Sequence, residues 1–340
     1  MSDIIGWDVG GAHLKAARVS QGRVVDVVQL PCALWQGLDR LEAALGDMRG
    51  RIGDAPRHAV TTTGELTDLF ASRTEGVEQL VGVLLRTLHP GQVAVYAGRR
   101  GFVAADEAVG LAGDIASANW HASASLVARH LADALLIDMG STTTDIIPLI
   151  GGVVVAEGYS DAERLMSGEL VYTGLTRSFL MAECRAVAFR GRLVPLMNEY
   201  FASMADVYRV LGDLDEAHDQ HPTADGRDKS AASSCARIAR MLGMDAGDAN
   251  DNEWRMVAAW FMHAQMRRIE DAVRLVCSRR PALDTAPIVA AGVGARVVER
   301  IGQRMARRPI AFDRLIGIDT IQKDWVGACA PAAAVALLHG

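Results

Sequence analysis

The chain has 340 residues, half of them hydrophobic and 22% charged, the balance of a globular protein with room for two compact domains. A net charge of −6 argues against a general nucleic-acid binder, which needs a basic face, while leaving room for one bound diphosphate. No apolar run reaches membrane-crossing length, the first residues lack the layout of a signal peptide, and the five cysteines are scattered, so a cytoplasmic protein with reduced thiols and no membrane partner is expected.

The first stretch reads as a β-meander, with strands over Asp3–Asp8, Leu14–Ser20 and Val24–Leu30 and Gln21-Gly22 as the tight turn. A helix follows over Trp35–Met48, with Leu38, Leu41 and Leu45 on one face. His58–Thr63 is a short strand, Val77–Leu88 a helix, Gln92–Tyr96 a strand and Ala116–His130 a helix. The opening theme then restarts as strands Ala134–Asp138, Thr144–Ile150 and Val153–Glu157, with Gly151-Gly152 as the turn. From Gly168 the chain reads as mainly helical, with helical spacing over Glu199–Leu211 and Asn252–Cys277. Between these, Gly212–Ser234 is polar, acidic and broken by Pro222 and Gly226, the composition of a mobile loop or lid. Ile288–Gly294 runs from strand into a glycine turn, and Ala330–Leu338 is an apolar closing helix. The repeat divides the chain into a lobe over 1–131 and a lobe over 132–329, the second with a helical insertion around 168–285 and the segment 330–340 docking back on the first.

Two glycine turns, each led by an aspartate, open these halves: Asp8-Val9-Gly10-Gly11 and Asp138-Met139-Gly140-Ser141. In each, an apolar strand delivers an aspartate to its end. Glycine at 10, 11 and 140 removes the Cβ that would hold a ligand off the backbone, so amides can face an anion. Ser141, Thr142 and Thr143 add hydroxyl donors and Lys15 adds a point charge. Asp8, Asp138 and Asp145 are the candidates to hold magnesium against phosphate oxygens. An aspartate at a strand end also caps turns through backbone hydrogen bonds, and Asp138 stands evenly between the two roles. Two such turns facing each other would clamp a di- or triphosphate, with Gly292 and Gly294 as a third phosphate-side element.

Asp8-Val9-Gly10-Gly11, the run Asp138 to Asp145, and Ala291-Gly292-Val293-Gly294 resemble the phosphate-1, phosphate-2 and adenosine motifs of the superfamily of actin, sugar kinases and Hsp70. That resemblance implies an α/β, two-lobed actin-like ATPase (ribonuclease H-like) fold with an interlobe cleft and helical insertions in the second lobe. Thr62-Thr63-Gly64-Glu65-Leu66 narrows it to the hydantoinase/oxoprolinase-like branch. The run Gly6 to Lys15, Val171-Tyr172-Thr173-Gly174, Glu199-Tyr200-Phe201-Ala202 and the run Pro222 to Arg227 are similar to tetrahydromethanopterin-linked C1 transfer pathway proteins, which resemble an archaeal transferase of methanofuran biosynthesis. The resemblance covers essentially the whole chain. It implies a magnesium-dependent transferase that joins (5-aminomethylfuran-3-yl)methyl diphosphate to the phenol of a γ-glutamyl tyramine or tyrosine-type substrate and releases diphosphate. Two other readings share the fold: an ATP-dependent kinase or amidohydrolase, and a non-enzymatic nucleotide-dependent switch.

Under the transferase reading, Asp8, Lys15 and Asp145 form the catalytic set. His13 is the nearest histidine to the reaction centre, suited either to the phenol proton or to a structural role. Tyr172 and Arg177 fall where a bound substrate would protrude, and a guanidinium suits a substrate carboxylate. Asp225 and Arg227 either close over the substrate or stay solvated in the polar loop.

Overall fold

The computed structural model describes residues 3–317 and 323–340. β1 (Ile4–Val9), β2 (His13–Ser20) and β3 (Arg23–Pro31) form the antiparallel meander, and Gln21 and Gly22 both take positive φ at the tight turn. β4 (Arg57–Thr62) and β5 (Gln92–Tyr96) add in parallel beside β1 through crossover helices Leu38–Ile52 and Arg73–Leu88. β6 (Phe102–Ala104) closes this edge, so the first sheet runs β3-β2-β1-β4-β5-β6.

The second sheet restarts the same plan. β7 (Ala134–Met139) pairs antiparallel with β8 (Thr144–Ile150). The expected third strand is split: β9 (Val153–Val154) pairs with the end of β8, and β10 (Leu170–Val171) pairs with its start. Helix Asp161–Ser167 lies in the chain between these two pieces. The insertion that follows is not purely helical. β11 (Ala186–Phe189) and β12 (Arg192–Pro195) make a hairpin whose turn residues, Arg190 and Gly191, both take positive φ. Its long helix spans Asp251–Ser278, while the shorter one begins at Met204 rather than Glu199, because the Asp206 carboxylate accepts the Ser203 amide at 3.0 Å and fixes the start there. β13 (Ile288–Ala291) then returns parallel to β7, and β14 (Pro309–Ala311) adds beside it.

Side-chain alternation along the two central strands positions the site. On β1, Ile5, Trp7 and Val9 pack with Leu41, Leu45, Leu80 and Leu84 of the crossover helices. Ile4 packs instead with Ala332, Ala333 and Ala336 of the closing helix Ala330–His339. A Cβ on Gly6 would stand 2.0 Å from the Ala332 carbonyl oxygen, so glycine there lets this helix seat directly on β1. Asp8 is the next residue on the same face. On β7, Leu135, Ile137 and Met139 join the insertion core with Val207, Trp254 and Phe261. Ala134 and Leu136 join Trp120, Ala330 and Ala334 in an apolar layer between the sheets, and Asp138 is next on that inner face. Both aspartates therefore leave the inner faces of their sheets at the ends of central strands. Among the described residues no helix is long and apolar enough to cross a membrane.

Candidate functional site

The two leading hairpins repeat each other at a constant offset of 130 positions. Asp8 lies opposite Lys15 as Asp138 lies opposite Asp145. The Gly10 amide donates to the His13 carbonyl at 3.0 Å, and the Gly140 amide to the Thr143 carbonyl at 2.9 Å. That bond closes each turn. Among the described residues, no protein acceptor takes the amides of Gly11 and Ala12 in one turn, or of Ser141, Thr142 and Thr143 in the other. The carbonyls of the second turn are held from behind: Leu175 N–H donates to Gly140 at 2.9 Å and Arg177 N–H to Ser141 at 2.8 Å. Gly174 makes this possible, since a Cβ there would lie 2.5 Å from the Ser141 carbonyl carbon and the Thr142 nitrogen.

The turns border one cavity of about 560 Å3. It brings together Asp8, Asp138, Asp145 and Lys15, the turn residues Gly10, Gly11, Gly140, Ser141, Thr142 and Thr143, and His13, Tyr172 and Arg177. Lys15 Nζ stands 3.5 Å from Asp8 Oδ2, while Asp8 Oδ1 is buried with no hydrogen-bond partner. Burial opposes the Lys15 ammonium, yet Asp8 and Asp138 hold its pKa above the ordinary lysine value. Burial also raises the Asp8 carboxyl, against the pull of Lys15. Asp138 is pushed to about 7 by burial, with Lys15 opposing and Asp145 and Asp8 adding to the rise. The Asp145 carboxyl is raised by burial against the Arg164 guanidinium, which donates to it at 2.8 Å and lies 4.2 Å from the Trp120 ring centre.

Asp8, Asp138 and Asp145 thus line the cavity without forming a ready ligand cage: among the described residues no group of three or more His, Cys, Asp or Glu side chains is assembled for a metal. Asp145 is engaged by Arg164, which sets it apart from the expected ligand set. Asp8 and Asp138 fit magnesium by chemistry, being hard oxygen donors with one oxygen of Asp8 unsatisfied. Magnesium commonly takes one or two carboxylates and completes its shell with phosphate and water.

Four expected residues lie elsewhere. Gly292, with φ +82°, donates its amide to the Gly327 carbonyl, and Gly294 donates to the Met139 carbonyl at 2.8 Å. Neither glycine lines the cavity. A Cβ on Gly292 would come within 2.4 Å of Asp138 Oδ1 and one on Gly294 within 2.5 Å of the Met139 side chain, so the two glycines make room for the end of β7. Asp225 is engaged by Arg237 at 3.1 Å and by the Arg227 amide, and the Arg227 side chain is exposed. The turn from Thr223 to Arg227 closes on itself through the Thr223 hydroxyl and the Arg227 carbonyl, which keeps both side chains off the cleft.

The polar loop is a strap crossing from the second lobe to the first. Arg209 donates to Glu216 at 2.8 Å and to Asp219 at 2.5 Å, anchoring its base. Beyond that anchor Gln220 bonds the Gln29 carbonyl at 3.4 Å, His218 packs on Trp325, and His221 packs edge-on against His13 at 4.8 Å between ring centres. His13 is buried, and burial, then His221, Lys15 and Arg177, hold its pKa well below the ordinary histidine value.

Sequence reasoning missed Arg164, Ser117 and Glu65. Ser117 lines the cavity with φ +53° and donates to buried Glu65 at 3.0 Å. Glu65 stood in a quoted motif, but its role depends on Ser117, whose placement comes from tertiary packing. Arg164 had no local signal at all, since its partners Asp145 and Trp120 lie on other elements.

Two lobes built on the same sheet plan, with facing glycine turns over a shared cavity, define a two-lobed actin-like ATPase architecture. The nucleotide-free structure of acetone carboxylase has it too, at a TM-score of 0.52 and 11% identity, over 90% of this chain and 67% of that one. Residues 57–317 match the hydantoinase/oxoprolinase family, and the chain belongs to that family. It is similar to the (4-{4-[2-(γ-L-glutamylamino)ethyl]phenoxymethyl}furan-2-yl)methanamine synthase of Methanocaldococcus jannaschii, 31% identical over 297 residues and 87% of each chain. It is also similar to the synthase of that name from Methanococcus vannielii, 32% identical over 167 residues, 49% of this chain and 73% of that one.

Proposed function

We propose that the protein is a magnesium-dependent cytoplasmic transferase that joins (5-aminomethylfuran-3-yl)methyl diphosphate to the phenol of a γ-glutamyl tyramine or tyrosine-type acceptor, releasing diphosphate, in methanofuran-type cofactor synthesis. One observation carries the reading: five unspent turn amides and the Lys15 ammonium border a single cavity, a site built for a polyanion. The name of the similar synthases supports the rest, because the compound in it contains a phenoxymethylfuran, an aryl ether that a furanylmethyl diphosphate and a phenol would form.

The residues suit that chemistry. A furanylmethyl carbon releases diphosphate readily because the ring shares the developing positive charge. Lys15 and the turn amides neutralise the departing oxygens. Asp8 and Asp138 would hold magnesium, which when bound supplies further positive charge to the diphosphate. Arg177 donates to Thr142 Oγ1 at 3.3 Å and has no carboxylate partner among the described residues, leaving a second cation for the anionic ligand. The glycine pair expected for adenosine spends its amides on backbone carbonyls.

The test is an end-point assay by mass spectrometry with protein, magnesium, the furanylmethyl diphosphate and γ-glutamyl tyramine, and no nucleotide. Ether product and diphosphate should appear in equal amounts. Product that forms only after ATP is added would overturn the reading.

A further inference from the structure

A second cavity, of about 410 Å3, adjoins the first and shares Thr142, Tyr172 and Arg177 with it. Those shared residues mark a passage. Phe179 and Tyr200 line the second cavity with ring centres 4.4 Å apart. With Tyr172 they stay 45%, 44% and 60% exposed, respectively, in a chain only 5% aromatic. Open aromatic faces in a concave wall suit a planar ring. The same cavity has a polar region of Asp206, Arg209 and Asp219, joined in ion pairs. At the passage, His221 lines the second cavity and packs on His13, which lines the first. Nε2 of each imidazole is buried without a hydrogen-bond partner.

We infer that the second cavity is the acceptor subsite, taking an elongated molecule with a phenol at one end and a zwitterionic amino-acid group at the other. The inference rests on the transferase reading. The acceptor ring lies against Tyr172, Phe179 and Tyr200, its amino-acid end meets the Asp206, Arg209 and Asp219 region, and its phenol oxygen reaches the passage beside the histidine pair. Burial keeps both imidazoles neutral at neutral pH, with the other charges around them (Lys15, Arg177 and Lys229) acting in the same direction and Asp219 against it. A neutral Nε2 takes the phenol proton. The phenol oxygen forms its bond to the furanylmethyl carbon as the carbon–oxygen bond to diphosphate breaks, and that electron pair leaves with diphosphate. The imidazolium returns its proton to solvent after product release.

The test uses Ala182→Trp, which fills the second cavity from its wall, and Tyr200→Ala, which removes one face of it. Calorimetry measures the binding of γ-glutamyl tyramine and of inorganic diphosphate separately, and thermal melting checks folding. Ala182→Trp should weaken acceptor binding about tenfold or more, and Tyr200→Ala about three- to tenfold, with diphosphate binding within about twofold of wild type. Where Ala182→Trp fails to fold, Tyr200→Ala decides. Unchanged acceptor binding in the folded variants overturns the subsite even if the wild type turns over. Acceptor binding that the variants weaken, in a protein without turnover, upholds the subsite and removes the transferase reading. For the proton, His13→Asn should lower kcat by about 10²–10⁴ with both ligands still bound; an unchanged kcat overturns that role.

Discussion

Replacing Asp138 by asparagine should remove a pH dependence that the native carboxyl imposes on folding. In the folded chain burial raises its pKa from 3.8 to about 7, with Lys15 opposing and Asp145 and Asp8 adding to the rise. The unfolded chain titrates near the ordinary aspartate value of about 3.9. Between those values the native state keeps a proton that the unfolded state has lost, so stability falls as pH rises through the window. Below it both states are protonated and the penalty is absent; above about pH 7 it is present in full. About three pH units at roughly 1.36 kcal/mol each make about 4 kcal/mol. Asparagine keeps the shape of the protonated acid and never ionises. In magnesium-free buffer, urea unfolding should therefore give similar stabilities for wild type and Asp138→Asn near about pH 4, and a variant up to about 4 kcal/mol more stable near about pH 8. Asp8 and Asp145 impose slopes of their own on both proteins, so the difference between the two curves is the quantity to read. Magnesium binds the ionised wild type and should narrow that difference. Curves that stay parallel across the window would refute a protonated, buried Asp138.

Three further outcomes follow from the same site. Lys15→Met should lower kcat by about 10²–10³ and weaken inorganic diphosphate binding; a kinetic loss below about threefold would sink the role of Lys15. Gly174→Ala pushes a Cβ to 2.5 Å from backbone atoms of the Ser141–Thr142 turn, and should cost about 1–3 kcal/mol in urea unfolding and weaken diphosphate binding. Wild-type values in both would mean the turn yields freely. Arg164→Met strips the half-buried Asp145 of its partner and should cost about 3–5 kcal/mol, most of it regained when Asp145→Leu is added. Equal losses in the single and double variants would show that the ion pair is not the cause.

Local pattern made the first and second hairpins legible. An apolar run ending in aspartate and glycine says where a strand stops, and the constant offset of 130 said that the two halves are alike. Pattern failed where partners are distant. Gly292 and Gly294 look like a phosphate loop because a close strand approach and a close ligand approach ask for the same missing Cβ, and only Asp138 and Met139 tell them apart. Asp225 and Arg227 have the charge of a substrate clamp, but their turn folds on itself. The strap looked mobile from its composition, while its anchor, Arg209, stands in the helix before it and reveals itself only through Glu216 and Asp219. The β11–β12 hairpin was missed because Arg190 is an unusual residue for a left-handed turn position.

The seat of the closing helix on Gly6 bears on how the chain is made. A ribosome delivers β1 before this helix, yet Ile4, Ala17 and Val19 lack their cover of Val326, Cys329, Ala332, Ala333 and Ala336 until those residues arrive. At about 5–20 residues per second, that interval is roughly a quarter of a minute to a minute. During it the nascent first sheet shows a bare apolar face, whereas the second sheet gains its own insertion core as it emerges. The half synthesised first is the half completed last, and its early strands are where a chaperone would find the most to hold.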